Sequence, residues 1–208
     1  TYDSTNACGV PDVTVIAKIG FDHMAILGDT LAKIAAEKAG IIKHGTALVL
    51  ESQEKEAMDV LNKAAERADI KTTKVVNLDE IRILPQKDGK QCFSYAGYDA
   101  VTMKMLGVHQ YENAVAAMLA AELFFEKYFA GKKNVPERKA LQHAIREGID
   151  RTQWMGRMEL VSNDPFFLMD GAHNSNGVEA LKKSLETMYP DEKFILSWVS
   201  WRIKIMVR

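Results

Sequence analysis

Asp22 and His23 close an apolar run, and Lys38 follows fifteen residues after His23; the three side chains are of the kinds that hold a divalent cation beside a phosphate. A neutral imidazole can ligate Mg²⁺ or Mn²⁺. A lysine supplies a point charge to phosphate, or an anionic ligand once its amine is carbamylated. Taken alone, these residues read better as a polar turn and a helix-surface lysine. A second set is spread further along: Gln110 and Asn113 at the start of a long helix, Arg157 just after a break in the pattern, and Asp170 and His173 between an apolar strand and a helix. Each also has a plain structural reading. Asn113 can bond local backbone, Arg157 can form an interdomain salt bridge, and Asp170 can cap a helix beside a solvated His173.

The elements that must position these residues follow from hydrophobic period and punctuation. Residues 13–19 form a β-branched run that stops at Gly20-Phe21-Asp22-His23, a place where α/β folds display side chains from strand ends. Leu31, Ile34, Ala35 and Lys38 share one helical face; Asp29 or Thr30 can cap that helix and Gly40 can end it. A strand over 46–50, a helix over 54–68 and a strand over 74–76 continue the alternation, which predicts a mostly parallel sheet covered by helices. The segments 81–84, 92–95 and 100–105 are short and alternating, separated by Lys87-Asp88-Gly89 and Gly97, and predict an antiparallel insertion. Helices are expected over 111–129 and from Pro136 to 149. After the break at 151–156, strands at 158–162 and 166–169, a helix over 178–188 and a strand from Phe194 restart the alternation, so a domain boundary is placed near Gly156.

Composition bounds the function. The 208 residues carry 27 Lys and Arg against 28 Asp and Glu, a net charge of −1, so no overall basic field exists to hold nucleic acid or an anionic membrane. The two cysteines, Cys8 and Cys92, have no zinc-site or redox spacing. No apolar run approaches membrane-spanning length, and a cytoplasmic setting is expected. His44 and His143 are read as surface residues, and Phe124, Phe125, Tyr128 and Phe129 as helical core.

Several words of the sequence are more specific than these patterns. Ile19-Gly20-Phe21-Asp22-His23, Leu27-Gly28-Asp29-Thr30 and the run from Ile34 through Glu37-Lys38-Ala39-Gly40-Ile41-Ile42-Lys43 resemble the signature of folylpolyglutamate and dihydrofolate synthases within the Mur ligase family. Asp3-Ser4-Thr5-Asn6, His109-Gln110-Tyr111-Glu112-Asn113, Thr152-Gln153-Trp154-Met155-Gly156-Arg157 and Asp170-Gly171-Ala172-His173-Asn174 resemble further family words in the expected order. The resemblance implies residues 1–155 as a partial central ATP-binding domain of α/β type, with a small antiparallel insertion, and 156–208 as the first strands and helix of a Rossmann-like C-terminal ligase domain. It implies ATP and Mg²⁺ as cofactors, folate (tetrahydrofolate or dihydropteroate) and L-glutamate as partners, and a monomeric full-length enzyme. By the same resemblance His23 and Lys38 hold the metal, Gln110 and Asn113 contact adenine, Arg157 and Asp170 contact the nucleotide, and His173 faces the transferred phosphate, with Lys38 and His173 the catalytic pair. Another Mur-type amino acid ligase and a non-catalytic nucleotide-binding remnant are the alternatives.

Departures from the family pattern accompany the matches. No Gly-x-x-x-x-Gly-Lys-Ser/Thr phosphate loop occurs in the chain, Met155 stands at a usual hinge proline and Ser175 follows Asn174 where proline is common. The chain is therefore expected to be an internal fragment, inactive alone. Residues 198–208 are expected to be a frameshift product. The resemblance runs through Phe194-Ile195-Leu196-Ser197 and then stops, whereas family members continue with Gly, a few apolar residues and Asp-Lys-Asp. One set of synonymous codons for the tail, regrouped one base earlier, encodes Gly-Val-Leu-Ala-Asp-Lys-Asp. The alternative is a genuine amphipathic strand with Trp201, Ile203 and Ile205 on one face. Sequencing the source DNA decides: an adjacent frame that does not encode Asp-Lys-Asp there excludes the frameshift.

Overall fold

A computed structural model describes residues 4–7, 9–21 and 29–199. The parallel sheet is built from β1 (Val13–Ile16), β2 (Ala47–Leu50) and β3 (Thr73–Val75), in that spatial order, with Val13 opposite Ala47 and Leu48 opposite Thr73. Two crossover helices, α1 (Leu31–Lys38) and α2 (Lys55–Arg67), join these strands. Thr30 caps α1 by accepting from Lys33 N, and a 3₁₀ turn over Ala39–Ile41 tightens its end. Strand β2 lies in the middle and its side chains alternate between two cores. Leu48 and Leu50 point into a cluster with Ile16, Ile34, Ala35, Ala57 and Leu61, while Val49 points to the opposite face. This double burial explains why β2 reads as a continuous apolar run rather than an alternating one.

The second core joins the sheet to the rest of the molecule. Strands β4 (Arg82–Lys87), β5 (Lys90–Tyr95) and β6 (Tyr98–Met103) form an antiparallel sheet. Its two turns, Asp88-Gly89 and Ala96-Gly97, have positive φ at both positions, the geometry that matches strand twist in two-residue hairpins. Helix α3 (Gln110–Phe129) packs between the two sheets: Tyr111, Ala114, Val115 and Met118 share a cluster with Val49 and Val76 and with Phe93, Tyr95, Tyr98 and Val101. The ring of Phe93 meets that of Tyr111 edge-on at 5.7 Å. Helix α4 (Arg138–Arg151) is tied to the antiparallel sheet by Asp150, which accepts from Lys90 Nζ at 2.7 Å and Thr102 Oγ1 at 2.6 Å. Those bonds hold the Asp150 carboxyl below the usual carboxylate range.

Beyond α4, β7 (Glu159–Asn163) and β8 (Phe166–Met169) pair as an antiparallel hairpin, followed by α5 (Ser175–Met188). Three expectations change. The strand from Phe194 is not formed: residues 194–199 carry no regular secondary structure, with Ile195 fully exposed, because an apolar segment becomes a strand only where a neighbour takes up its backbone groups. Pro136 does not open α4, since Glu137 has extended dihedrals and is itself the N-cap. The aromatic set is only partly core, for Phe124 and Tyr128 stack on each other at the surface. Most of the suspected frameshifted tail, 200–208, lies outside the described residues. No helix among the described residues is long and apolar enough to cross a membrane.

The central strand sets the stability of this arrangement. Leu48→Ala, at a position with no exposure, should lower the unfolding free energy by about 3 kcal/mol in urea denaturation; a loss under about 1 kcal/mol would show that Leu48 is not packed in the α1–α2 core as described.

Candidate active site

At the C-terminal edge of the parallel sheet, side chains take over from the backbone ladder. The last main-chain bond of the β1–β2 pair is Glu51 N to Ile16 O, 3.0 Å. Beyond it, Lys18 N donates to Glu51 Oε2 at 2.6 Å and Ile19 N to Gln53 Oε1 at 2.8 Å, while Gln53 Nε2 donates to Ala17 O at 3.0 Å. The Gln53 amide thus bonds the C=O of one residue and the N–H two residues on, which is how a backbone peptide pairs with a parallel neighbour. That is why the apolar run at 13–19 pairs as a strand only to Ile16. The segment so held leads to Gly20 and Phe21; His23, expected as a metal ligand, lies outside the described residues.

A second group of polar side chains gathers at the start of α3. Asn113 Nδ2 donates to Gln110 Oε1 at 3.0 Å, and Gln110 Nε2 lies 3.1 Å from His109 Nε2. An amide nitrogen can only donate, so His109 Nε2 accepts and the neutral ring carries its proton on Nδ1. That Nδ1 is buried and has no hydrogen-bond partner among the described residues. Burial pushes the His109 imidazole below the usual histidine range, with Asp170 opposing and Arg157 reinforcing the shift. Asn113, exposed, presents the outer edge of its amide to solvent. Gly107, at φ +112°, admits the ring: a Cβ there would stand 2.7 Å from His109 Cε1 and 3.1 Å from Met158 Sδ.

The loop between β8 and α5 approaches the same place. Asp170 accepts from Met158 N and from Ala172 N, both at 2.8 Å, and Gly171 N donates to Gly156 O at 2.7 Å. Asp170 is thus a brace for the Gly156 to Met158 turn as well as a charge facing His109. Arg157 on that turn is exposed. His173 is exposed, and its Nδ1 lies 2.9 Å from Gly171 O; a carbonyl only accepts, so Nδ1 carries a proton and Nε2 is directed elsewhere. Asn174 caps α5 through Gly177 N, and Asn176 Nδ2 donates to Phe21 O at 3.3 Å. Ser184, fully buried in α5, accepts from Val108 N at 3.0 Å. The start of α5 therefore lies against the end of the β1 segment, and its middle against the loop that opens α3.

The structure brings Gln110 and Asn113 into one hydrogen-bonded group, and sets Arg157 and Asp170 within electrostatic reach of His109 beside it. His173 is placed on the α5 side, and Lys38, partly buried, ends α1 on the opposite face of the parallel sheet from α3. No group of three or more His, Cys, Asp or Glu among the described residues is arranged to hold a metal ion. Sequence reasoning missed Glu51, Gln53 and Glu112. Glu112 Oε1 accepts from Ser52 N at 2.7 Å. The signal available for Glu51 was a carboxylate at the end of a wholly apolar strand, where a charge needs a reason to be buried.

Comparison with known proteins follows the same outline. The Mur ligase middle domain matches residues 3–121. The dihydrofolate synthase/folylpolyglutamate synthase of Bacillus subtilis is 35% identical over 200 residues, covering 92% of this chain and 44% of that protein. A Mycobacterium tuberculosis folylpolyglutamate synthase, solved with ADP and AMPPCP, superposes with a TM-score of 0.69 at 31% identity, over 88% of this chain and 41% of the other. An FPGS–AMPPCP–folate complex has a TM-score of 0.76 at 24% identity, over 86% and 43%, a likeness of fold. The chain spans less than half the length of these relatives.

Glu51 supplies a test of the strand-end clamp. Burial raises its pKa above the ordinary range and the neighbouring Glu112 carboxylate adds to this, against the Lys18 N–H bond. A carboxyl that holds its proton more tightly folded than unfolded contributes stability at low pH that is lost as pH rises through its folded value. Glu51→Gln keeps an acceptor for Lys18 N without the charge. It should raise the urea midpoint at pH 7, and the gap from the parent should close as the pH is lowered into the carboxylate range. A variant less stable than the parent at pH 7 would show that the charge itself is required.

Proposed function

The chain belongs to the Mur ligase family through its middle domain, and from that premise we propose that it is part of an ATP-dependent ligase joining L-glutamate to a folate carboxylate. Tetrahydrofolate is the acceptor on this reading, with dihydropteroate as a second one. Residues 1–155 belong to the central ATP-binding domain and 156–208 begin the ligase domain. The observation that carries the reading is the convergence of Gln110, Asn113, His109, Asp170 and Arg157 at one edge, in a chain 35% identical to a folate ligase along most of its length.

The donor set suits a nucleotide. An asparagine amide edge offers one donor and one acceptor, the pattern that pairs with the N6 and N7 edge of adenine. The buried Nδ1–H of His109 has no partner among the described residues, so the ring is a polar group the fold itself leaves unsatisfied beside this edge. Bound ATP supplies the phosphoryl group that activates the acceptor carboxylate for attack by the glutamate amine. The Asn113 to Gln110 to His109 relay fixes the orientation of the amide edge before the base arrives, so binding does not have to order it. The exposed Arg157 guanidinium sets positive charge beside the loop that precedes α5. His173, its Nδ1 held by Gly171 O, keeps Nε2 for the transferred phosphate, and the positive end of α5 favours an anion there. In this scheme Lys38, once carbamylated, and His23 would hold Mg²⁺.

The experiment is a chimera in which residues 1–196 replace the matching segment of the full-length Bacillus subtilis relative. It should release phosphate only when glutamate and a reduced folate are both present. Lys38→Ala and His173→Ala should each lower its turnover about 10²- to 10³-fold with little change in unfolding midpoint. The 208-residue chain alone, which has no phosphate loop, should release none above background. A chimera that folds, yet turns over only with a non-folate acceptor, would refute the substrate assignment.

A further inference from the structure

Helix α3 begins without the usual local restraint. Its N-cap, His109, has helical dihedrals and makes no side-chain cap bond. The first turn is held instead at a distance, by Glu112, whose carboxylate accepts from Ser52 N at 2.7 Å across 60 residues of sequence. Ser52 sits between Glu51 and Gln53, whose side chains clamp residues 17–19. The turn that carries Gln110 and Asn113 is thereby fixed to the C-terminal ends of β1 and β2 through one short, charge-assisted bond. Next to Glu112 in sequence, Asn113 stands exposed. Placing a carboxylate beside the buried Glu51 has an electrostatic cost, since it disfavours the charge on Glu51. A turn needing only helix propensity would be served as well by Gln or Lys at this position.

We propose that Glu112 is a positioning residue for the nucleotide base, holding the Gln110–Asn113 amide pair in register with the C-terminal edge of the parallel sheet. The assignment rests on the reading of Asn113 as the base contact. Removing the anchor lets the first turn of α3 shift or fray, so the base loses its fixed amide edge while groups that meet the phosphates are untouched. The effect must therefore be selective for the base.

The test uses the ¹⁵N-labelled 208-residue chain, titrated with ADP, GDP and inorganic tripolyphosphate at millimolar concentrations, and follows the side-chain amides of Gln110 and Asn113. In the parent, ADP should shift both amides and GDP should bind more weakly. Glu112→Ala should weaken ADP about tenfold and erase the preference over GDP, as expected for losing one hydrogen bond to a charged acceptor. Its response to tripolyphosphate should match the parent's. Glu112→Gln, which keeps an acceptor for Ser52 N, should stay within about twofold of the parent. Asn113→Ala separates the two ideas: if it leaves ADP binding unchanged, or if the parent amides do not respond to ADP, the base-site reading fails and this assignment with it. If Asn113→Ala weakens ADP while Glu112→Ala does not, or if Glu112→Ala weakens all three probes equally, or if Gln fails to restore the preference in a folded chain, Glu112 is not a positioning residue.

Discussion

Strand β2 is buried on both faces and flanked by strands on both edges, so every backbone group along it must find a partner within the protein. Within the strand the ladders to β1 and β3 do this. The difficulty arises at its C-terminal end, where the chain leaves the ladder while still close to the core. Glu51, Ser52 and Gln53 meet it there with two side chains and one main-chain N–H, which reach residues 17–19 on one side and Glu112 on the other. The molecule's polar edge is organised around that point.

The consequence is a division of labour between rigid and exposed parts. The two cores on either face of β2 fix α1, α2 and α3 through aliphatic and aromatic packing, which is strong but carries little directional information. Direction comes from a small number of short hydrogen bonds at the rim. Gln53 aligns the approach to Gly20 and Phe21, Glu112 aligns the first turn of α3, and Asp170 aligns the Gly156 to Met158 turn through two backbone N–H groups. The groups with spare bonding capacity, Asn113 and His173, are held from behind and left open in front.

The contacts of α5 extend this edge beyond the three-stranded parallel sheet. Ser184 meets Val108 N, and Asn176 meets Phe21 O close to Gly20, where a Cβ would fall 2.0 Å from the Asn176 amide nitrogen. These are polar contacts of modest strength rather than a broad apolar interface. Met158, almost fully buried against Gly107 and His109, is the apolar exception and lies at the turn that Asp170 braces.

Much of this was legible from the residues alone. The alternation of strand and helix, the antiparallel insertion with its Asp88-Gly89 turn, and the family words were local features, because period, caps and turn residues are set by near neighbours in sequence. The grouping of Gln110 with Asn113 was equally local, three residues apart on one helix face. The segment at Phe194 shows the limit of such reasoning: its apolar pattern is that of a strand, yet strand formation depends on a partner that local sequence does not supply. Glu51, Gln53 and Glu112 mark the same limit from the other side. Glu51 and Gln53 are ordinary polar residues with no motif of their own, Glu112 lies in a family word that says nothing of its contact, and their partners lie 33 to 60 residues away. Only the parallel register of β1 on β2, and the packing of α3 against both, brings those atoms within bonding distance, so the tertiary structure alone decided which polar side chains hold the edge together.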